Sequence, residues 1–190
     1  DDDLLLVLMQ NGQTALAYDG QFFFDTDHPV NLDDAAAGTM SNYEAAAFAL
    51  TQGNFFTARQ RMMGYKGEDG RILGIKPNLL VVPPALEDEA INILKAASLA
   101  SGAENITQGM ASYIVVPELA GQDTTWYLFD TTGPGPQAFI KQVRRAPRLT
   151  TKMSNQDDNV FWDGEYVWGK GKSRSVAAFA GHGVLIPQRR

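Results

Sequence analysis

The chain has 190 residues, of which 44% are hydrophobic and 20% are charged, a composition that excludes a disordered or fibrous protein and favours one compact domain, with or without a subdomain. It lacks cysteine and any apolar run near the roughly 18 residues that span a bilayer, which excludes disulfides, thiolate metal sites and a membrane partner. A net charge of -6 and a pI near 4.8 argue against a dedicated sequence-specific DNA-binding domain.

The first 40 residues predict a helix end, a short strand and a loop. Leu4 to Met9 followed by Gly12 indicates the last turns of a helix that begins before residue 1. Gln21 to Phe24 is a predicted strand, which His28-Pro29 stops. Asp33 to Met40 is a predicted loop.

A second helix is predicted to begin at Ser41. Ser41 and Glu44 have the spacing of a capping box, in which each side chain bonds an unpaired N–H of the first turn. Gly53 then either kinks the helix or splits it in two, and Gly64 to Arg71 is an exposed loop or hairpin tip. The helical periodicity rests on six apolar residues, which are Ala46, Ala47, Leu50, Phe55, Ala58 and Met62.

The middle of the chain predicts a β-α-β unit. Leu79 to Val82 is a continuous apolar run of strand length that Pro83-Pro84 ends. A helix with an acidic first turn then runs to Gly102, and Tyr113 to Val116 forms the second strand. Such a unit has a right-handed crossover.

The final third is predicted to be rich in strands and turns. Two antiparallel pairs are expected, each around a turn signal. The first joins Trp126–Phe129 to Phe139–Val143 across Gly133–Pro136, and the second joins Val160–Trp162 to Glu165–Trp168 across Asp163-Gly164. The whole chain is therefore predicted to have an α+β fold.

Charge is unevenly distributed along the chain. Residues 1–50 hold nine acidic residues and no Lys or Arg, whereas residues 141–190 hold ten basic residues and four acidic ones. Either neighbouring copies attract each other head to tail, or the two regions neutralise each other within one subunit.

The strongest chemical signal is the run Phe22 to Asp27, in which Asp25 and Asp27 follow a hydrophobic strand. This pattern is typical of Mg²⁺-dependent haloacid-dehalogenase-like phosphatases, where the first Asp attacks phosphorus and the second is the acid and base. Pro29 departs from the pattern, and the later pair Asp157-Asp158 follows a polar loop. The alternative is an Asx-type turn in which both carboxylates accept backbone N–H bonds and His28 packs locally.

Other candidate sites give weaker signals. His28 and His182 would bind a metal with Asp25 or Asp27 only if folding joined positions 154 residues apart. The β-α-β unit lacks the glycines of a dinucleotide turn, which argues against a small-molecule binding module. The chain has two basic clusters, Gly169–Arg174 and Arg144-Arg145 with Arg148. Each cluster could contact nucleic-acid phosphates, or it could be a solvated loop or a contact between subunits.

Four sequence segments resemble the Mu-like phage major head subunit family, and their order and spacing match that family as well. They occupy residues 18–29, 73–87, 115–119 and 126–130. The resemblance implies a major capsid protein of a tailed phage or prophage, with the Hong Kong 97-like fold of an axial and a peripheral domain. It also implies a structural protein with no catalytic, cofactor-binding or metal-binding residues, so that the Asp25 to Pro29 stretch is a structural turn.

The resemblance further implies an organisation and a set of partners. Residues 1–70 would be peripheral-domain-like, residues 71–145 axial-domain-like, and residues 146–190 a β-rich return segment, with the amino-terminal arm of the family missing. The subunit would form hexamers and pentamers in the virion shell, after assembly in the bacterial host cytoplasm. A scaffolding protein, a maturation protease and non-specific contact with packaged DNA are the other expected partners.

Overall fold

The protein folds into two compact units in a computed structural model. We call Asp1–Phe139 with Ala178–Arg190 the body, and Ile140–Ala177 the ribbon. The structure describes residues 3–17, 19–44, 48–99, 102–132, 139–154, 156–157, 162, 166–178 and 184–187.

Three α-helices and nine strands are defined in these ranges. The helices are Asp3–Asn11 (α1), Gln52–Met63 (α2) and Glu87–Leu94 (α3). The strands are His28–Pro29 (β1), Thr39–Met40 (β2), Tyr43–Glu44 (β3), Leu79–Val82 (β4), Ser112–Val115 (β5), Tyr127–Phe129 (β6), Phe139–Lys152 (β7), Val167–Ala178 (β8) and Val184–Pro187 (β9). This mixture of helices and strands agrees with the predicted α+β class.

A five-stranded sheet in the order β3-β9-β6-β4-β5 organises the body. Strand β4 is parallel to β5 and antiparallel to β6, with Leu80 opposite Tyr113 on one side and Leu128 on the other. Strand β9 is antiparallel to β6 and parallel to β3. The predicted β-α-β unit is therefore confirmed as β4, α3 and β5.

Strands β4 and β6 are buried on both faces, and their residues alternate between two cores. Leu80, Val82 and Leu128 join the cluster that includes residues of α2 and α3. Val81 and Tyr127 join a second cluster that includes Phe23 and Phe24. Because successive strand residues point to opposite faces, the apolar run that predicted β4 supplies both cores.

Helix α3 ends at Leu94, earlier than the predicted Gly102. The buried side chain of Asn105 accounts for this end, because its amide donates to the carbonyls of Asn92, Ile93 and Ala96 at 3.1, 2.9 and 2.8 Å. The Ile93 carbonyl also accepts from the Thr107 hydroxyl at 2.7 Å, so two side chains bind the carbonyls at the carboxyl end of the helix. A loop residue thus stops a helix whose apolar periodicity continues to Ala97.

The capping-box prediction is wrong. Ser41 and Tyr43 form a local turn in which the Tyr43 N–H donates to Ser41 Oγ at 3.3 Å, and Glu44 lies on β3, paired with Arg61 at 2.7 Å. Helix α2 begins later, with Thr51 as its cap accepting from the Asn54 N–H at 3.2 Å. Gly53 falls in the first turn and therefore does not split the helix. Ala46 and Ala47 lie outside the described residues.

The predicted strand over Gln21 to Phe24 is also incorrect. The structure has only an isolated bridge between Leu16 and Phe22, although the N–H groups of Phe23 and Phe24 bond to carbonyls of the preceding loop. Strand β1 instead falls on His28-Pro29, the expected stop, and pairs with β2 inside the expected loop Asp33 to Met40. These pairings depend on contacts between loops, which local patterns do not encode.

The first predicted antiparallel pair needs correction, whereas the second is not tested because Val160, Phe161 and Glu165 lie outside the described residues. Strand β6 pairs with β4 and β9, whereas β7 pairs with β8. The turns at 133–136 and 163–164 lie outside the described residues. The helix end at Asn11 and the hairpin tip between Lys66 and Ile72 are confirmed.

We expect Asn105→Ala to lower the free energy of unfolding by about 2–3 kcal/mol, because it removes the donor for the carbonyls at the end of α3. Urea unfolding followed by circular dichroism measures the change. Asn92→Ala, an exposed position of the same helix, is the matched control and should change stability by less than about 0.5 kcal/mol. Equal effects of the two substitutions would contradict this role for Asn105.

Candidate assembly surfaces

The Asp25 to His28 stretch has the hydrogen bonding of a structural turn. Asp25 accepts from the N–H groups of Phe22 and Thr26 at 3.3 and 2.8 Å. The exposed Asp27 accepts from the side-chain amide of Gln21 at 3.4 Å, and not from the backbone as the turn hypothesis required. The turn interpretation therefore holds for Asp25 and needs correction for Asp27.

His28 is buried and paired with Asp19. Its Nδ1 lies 2.6 Å from an Asp19 carboxylate oxygen, and both side chains are at most 3% exposed. The other carboxylate oxygen of Asp19 accepts from the Gln21 N–H at 3.2 Å. This pair therefore connects the segment before Phe23 and Phe24 to the start of β1.

Asn42 fixes the same segment from the other side. Its side-chain amide donates to the Phe23 carbonyl at 2.7 Å, and its side-chain oxygen accepts from the Asp25 N–H at 2.9 Å. Asn42 is 1% exposed, so these bonds satisfy a buried polar side chain. The polar residues around the Asp-x-Asp motif thus hold a loop against the second core.

The phosphatase hypothesis finds no support in this geometry. Within the described part of the chain, no three His, Asp or Glu side chains are grouped so that they could hold a metal ion. Asp157 accepts from the Ser154 N–H at 2.9 Å in a local turn. Asp158 and His182 lie outside the described residues, so the candidate metal site that would join the two histidines is not tested.

Two buried phenols also act as structural groups. Burial raises the pKa of Tyr65 far above its ordinary value, an effect that the positive charge of Arg61 partly opposes. Burial raises the pKa of Tyr127 in the same direction. Both hydroxyls therefore stay protonated and donate hydrogen bonds, Tyr65 to the Ser41 carbonyl at 2.6 Å and Tyr127 to Gln122 at 2.9 Å.

The β5 edge, one of the two edges of the sheet in the described part of the chain, is the first candidate surface. Strand β5 ends the sheet order, and the Ser112 N–H donates towards β4, to the Asn78 carbonyl at 2.8 Å. The N–H of the next residue, Tyr113, therefore faces away from β4. A groove of about 620 Å³ lies beside this edge, between the end of α3 and β5. Such an edge accepts an added strand.

The ribbon is the second candidate surface, and it excludes the loop interpretation of both basic clusters. Gly169–Arg174 lies within β8, and Arg144, Arg145 and Arg148 lie within β7, so neither cluster is a loop.

The ribbon also exposes large apolar side chains. Aromatic residues and Met are enriched in protein interfaces, and clustered exposed apolar residues mark interaction sites. Among the described ribbon residues the exposed ones are Leu149, Met153, Trp162, Tyr166, Val167 and Trp168. Trp162 is 78% exposed and Trp168 is 70% exposed, so both offer large apolar surface that a partner could bury.

Comparison with known proteins identifies the family. The family described as phage capsid protein matches residues 10–179, which include most of the body and the whole ribbon. The chain belongs to the phage capsid protein family. A comparison with the curated proteins finds no match for this capsid protein.

Solved phage capsids share the fold of this capsid protein. It is similar to the bacteriophage JBD30 capsid, with a TM-score of 0.53 and 23% identity over 60% of this chain and 61% of that one. The JBD30 capsid decorated with minor capsid protein trimers gives a TM-score of 0.52 and 24% identity over the same shares. The match thus spans about 61% of the length of those capsid chains, and at these identities it shows the fold alone.

None of the helices in the described ranges of this capsid protein is long and apolar enough to cross a bilayer.

We expect Asp19→Ala to lower the free energy of unfolding by about 3 kcal/mol, because it leaves His28 buried without its partner. Asp27→Ala is the matched control and should cost less than about 0.5 kcal/mol, since its carboxylate is exposed. Thermal and urea unfolding of both variants measure the difference. A larger loss for Asp27→Ala would indicate that the second carboxylate has a role beyond the turn.

Proposed function

We propose that the chain is a structural subunit that assembles with copies of itself into the shell of a tailed phage or prophage particle enclosing double-stranded DNA. The observation that carries this proposal is the family match over residues 10–179. The geometry supports it, because the buried polar groups of Asp19, His28 and Asn42 bind loops of the protein itself. Self-assembly would cover the exposed aromatic residues of the ribbon.

The finer assignment is to the Hong Kong 97-like fold and the Mu-like head subunits. Its support is the resemblance at residues 18–29, 73–87, 115–119 and 126–130, together with the fold shared with the JBD30 capsid. On this assignment residues 1–70 are peripheral-domain-like, residues 71–145 axial-domain-like, and residues 146–190 the β-rich return segment.

The proposed assembly also defines the partners. The subunit forms hexamers and pentamers in the virion, after assembly in the bacterial host cytoplasm. A scaffolding protein and a maturation protease act during assembly, and the shell touches packaged DNA without sequence specificity. No catalytic step, cofactor or metal is assigned to the subunit, which fits a function based on buried surface between copies.

We expect the purified protein to form oligomers that electron micrographs show as hexamers, pentamers or closed shells, with masses that are multiples of 20.7 kDa by mass photometry. Subunit contacts of a shell bury large areas, so association should persist at micromolar concentration. A chain of similar mass and charge from an unrelated monomeric protein is the control.

The outcome against the proposal is a strict monomer at all protein and salt concentrations. Phosphate release from an aryl phosphate with Mg²⁺, lost in Asp25→Asn, would instead support the phosphatase hypothesis.

A further inference from the structure

The paired strands of the ribbon hold basic residues and no acidic ones. Strand β7 contains five Lys or Arg residues and strand β8 contains three, without a single Asp or Glu in either. The ribbon has four acidic residues, and all of them lie in the sequence between the two strands: Asp157, Asp158, Asp163 and Glu165. The fold therefore concentrates positive charge on one element.

The basic residues of β8 are regularly spaced. Lys170, Lys172 and Arg174 occupy every second position, and only Gly or Ser stands between and beside them. Every second position of a strand lies on the same face, about 7 Å from the next. The spacing gives β8 three basic residues at alternate positions, with no acidic residue to offset them.

The body has the opposite charge. The ribbon has eight basic and four acidic residues, a net charge of +4, which leaves the body eight basic and eighteen acidic residues, a net charge of -10. Many of the body's carboxylates are exposed, including the run Glu87, Asp88 and Glu89 in the first turn of α3. Both charges needed for mutual attraction are thus present in every copy.

We infer that the basic ribbon of one copy docks on the acidic body of a neighbouring copy. This inference rests on the proposed function and specifies how the shell subunits recognise each other. A contact between two different surfaces is heterologous, and it closes into rings when the rotation between copies allows. Complementary potentials guide such encounters and fix their register.

A second copy suits the ribbon better than duplex DNA. A body with a net charge of -10 repels a polyanion approaching the same molecule, whereas it attracts a second ribbon. The exposed Trp162, Tyr166 and Trp168 add apolar contact area, which a protein surface covers and a phosphate backbone does not.

The test measures self-association of the full chain in 0.1 M and 1 M salt by sedimentation velocity. The Debye length falls from about 10 Å to about 3 Å between these conditions, so the association constant of the wild type should fall at least about tenfold. The triple variant Lys170→Glu, Lys172→Glu, Arg174→Glu should lose about tenfold or more at 0.1 M salt, and the variant with Gln at the same positions should lose less.

The matched control introduces a charge change of the same size on the body. Lys66, Arg71 and Lys76 are exposed, and their replacement by Glu lowers the net charge by six, as the ribbon variant does. Association should stay within about twofold of the wild type, since the ribbon remains basic. Equal weakening by the body and ribbon variants would show that net charge alone governs association, and would overturn the docking inference.

The remaining outcomes are also decisive. If the wild type forms oligomers and the ribbon variants form the same oligomers, the inference is overturned while the proposed function stands. If the wild type is monomeric in every condition, the proposed function itself is overturned. Ribbon variants with a lower melting temperature and unchanged association would show neutralisation within one subunit. Binding to a 30-bp DNA duplex is measured by fluorescence anisotropy. Ribbon variants that lose this binding while their self-association is unchanged would show that the ribbon binds DNA. Either result overturns the inference.

Discussion

The burial of β4 and β6 on both faces is the constraint on which the rest of the body depends. Leu80 and Val82 face one core while Val81 faces the other, so each strand must be covered on two sides. Helices α2 and α3 cover the first side, and the Phe23-Phe24 segment, with residues of α1, covers the second. A sheet buried in this way leaves little room for solvent near its centre, and its exposed groups lie at the edge and in the loops.

The polar residues of the body hold these covering layers in place. Asn105 ends α3, Asn42 binds the Phe23-Phe24 segment, and Asp19 pairs with His28 beside it. Arg59 of α2 donates to the Pro77 carbonyl at 2.6 Å and to the Met110 carbonyl at 3.1 Å, ahead of strands β4 and β5. The hydrogen bonds of Asn105, Asn42, Asp19 and Arg59 therefore serve the fold, whereas His28 Nε2 is buried and has no hydrogen-bond partner among the described residues.

The sequence predicted those parts of the fold whose signals are local. The run Leu79–Val82 is long, apolar and bounded by prolines, and it became β4 as expected. The Ser41 and Glu44 spacing failed because Glu44 has a better partner in Arg61, 17 residues away, and a capping motif cannot reveal a competing ion pair. The same limit explains α3, since only the folded structure brings Asn105 to its end. Pairing of β7 with β8, and not with β6, is likewise a long-range choice that turn signals do not decide.

For the candidate surfaces, the sequence reveals the charges and the structure reveals which element carries them. Both the excess of acidic residues near the start and the excess of basic residues near the end are visible in the sequence, but the boundaries that give them meaning come from the fold. Once β7 and β8 are paired, the basic residues cease to be two separate loops and become one element without acidic neighbours in its strands. Each copy carries opposite net charges on its two units, so the ribbon of one copy and the body of another attract each other electrostatically. Because salt screens attraction of this kind, the proposed contact between copies would depend on ionic strength, whereas the two buried cores of the body would not.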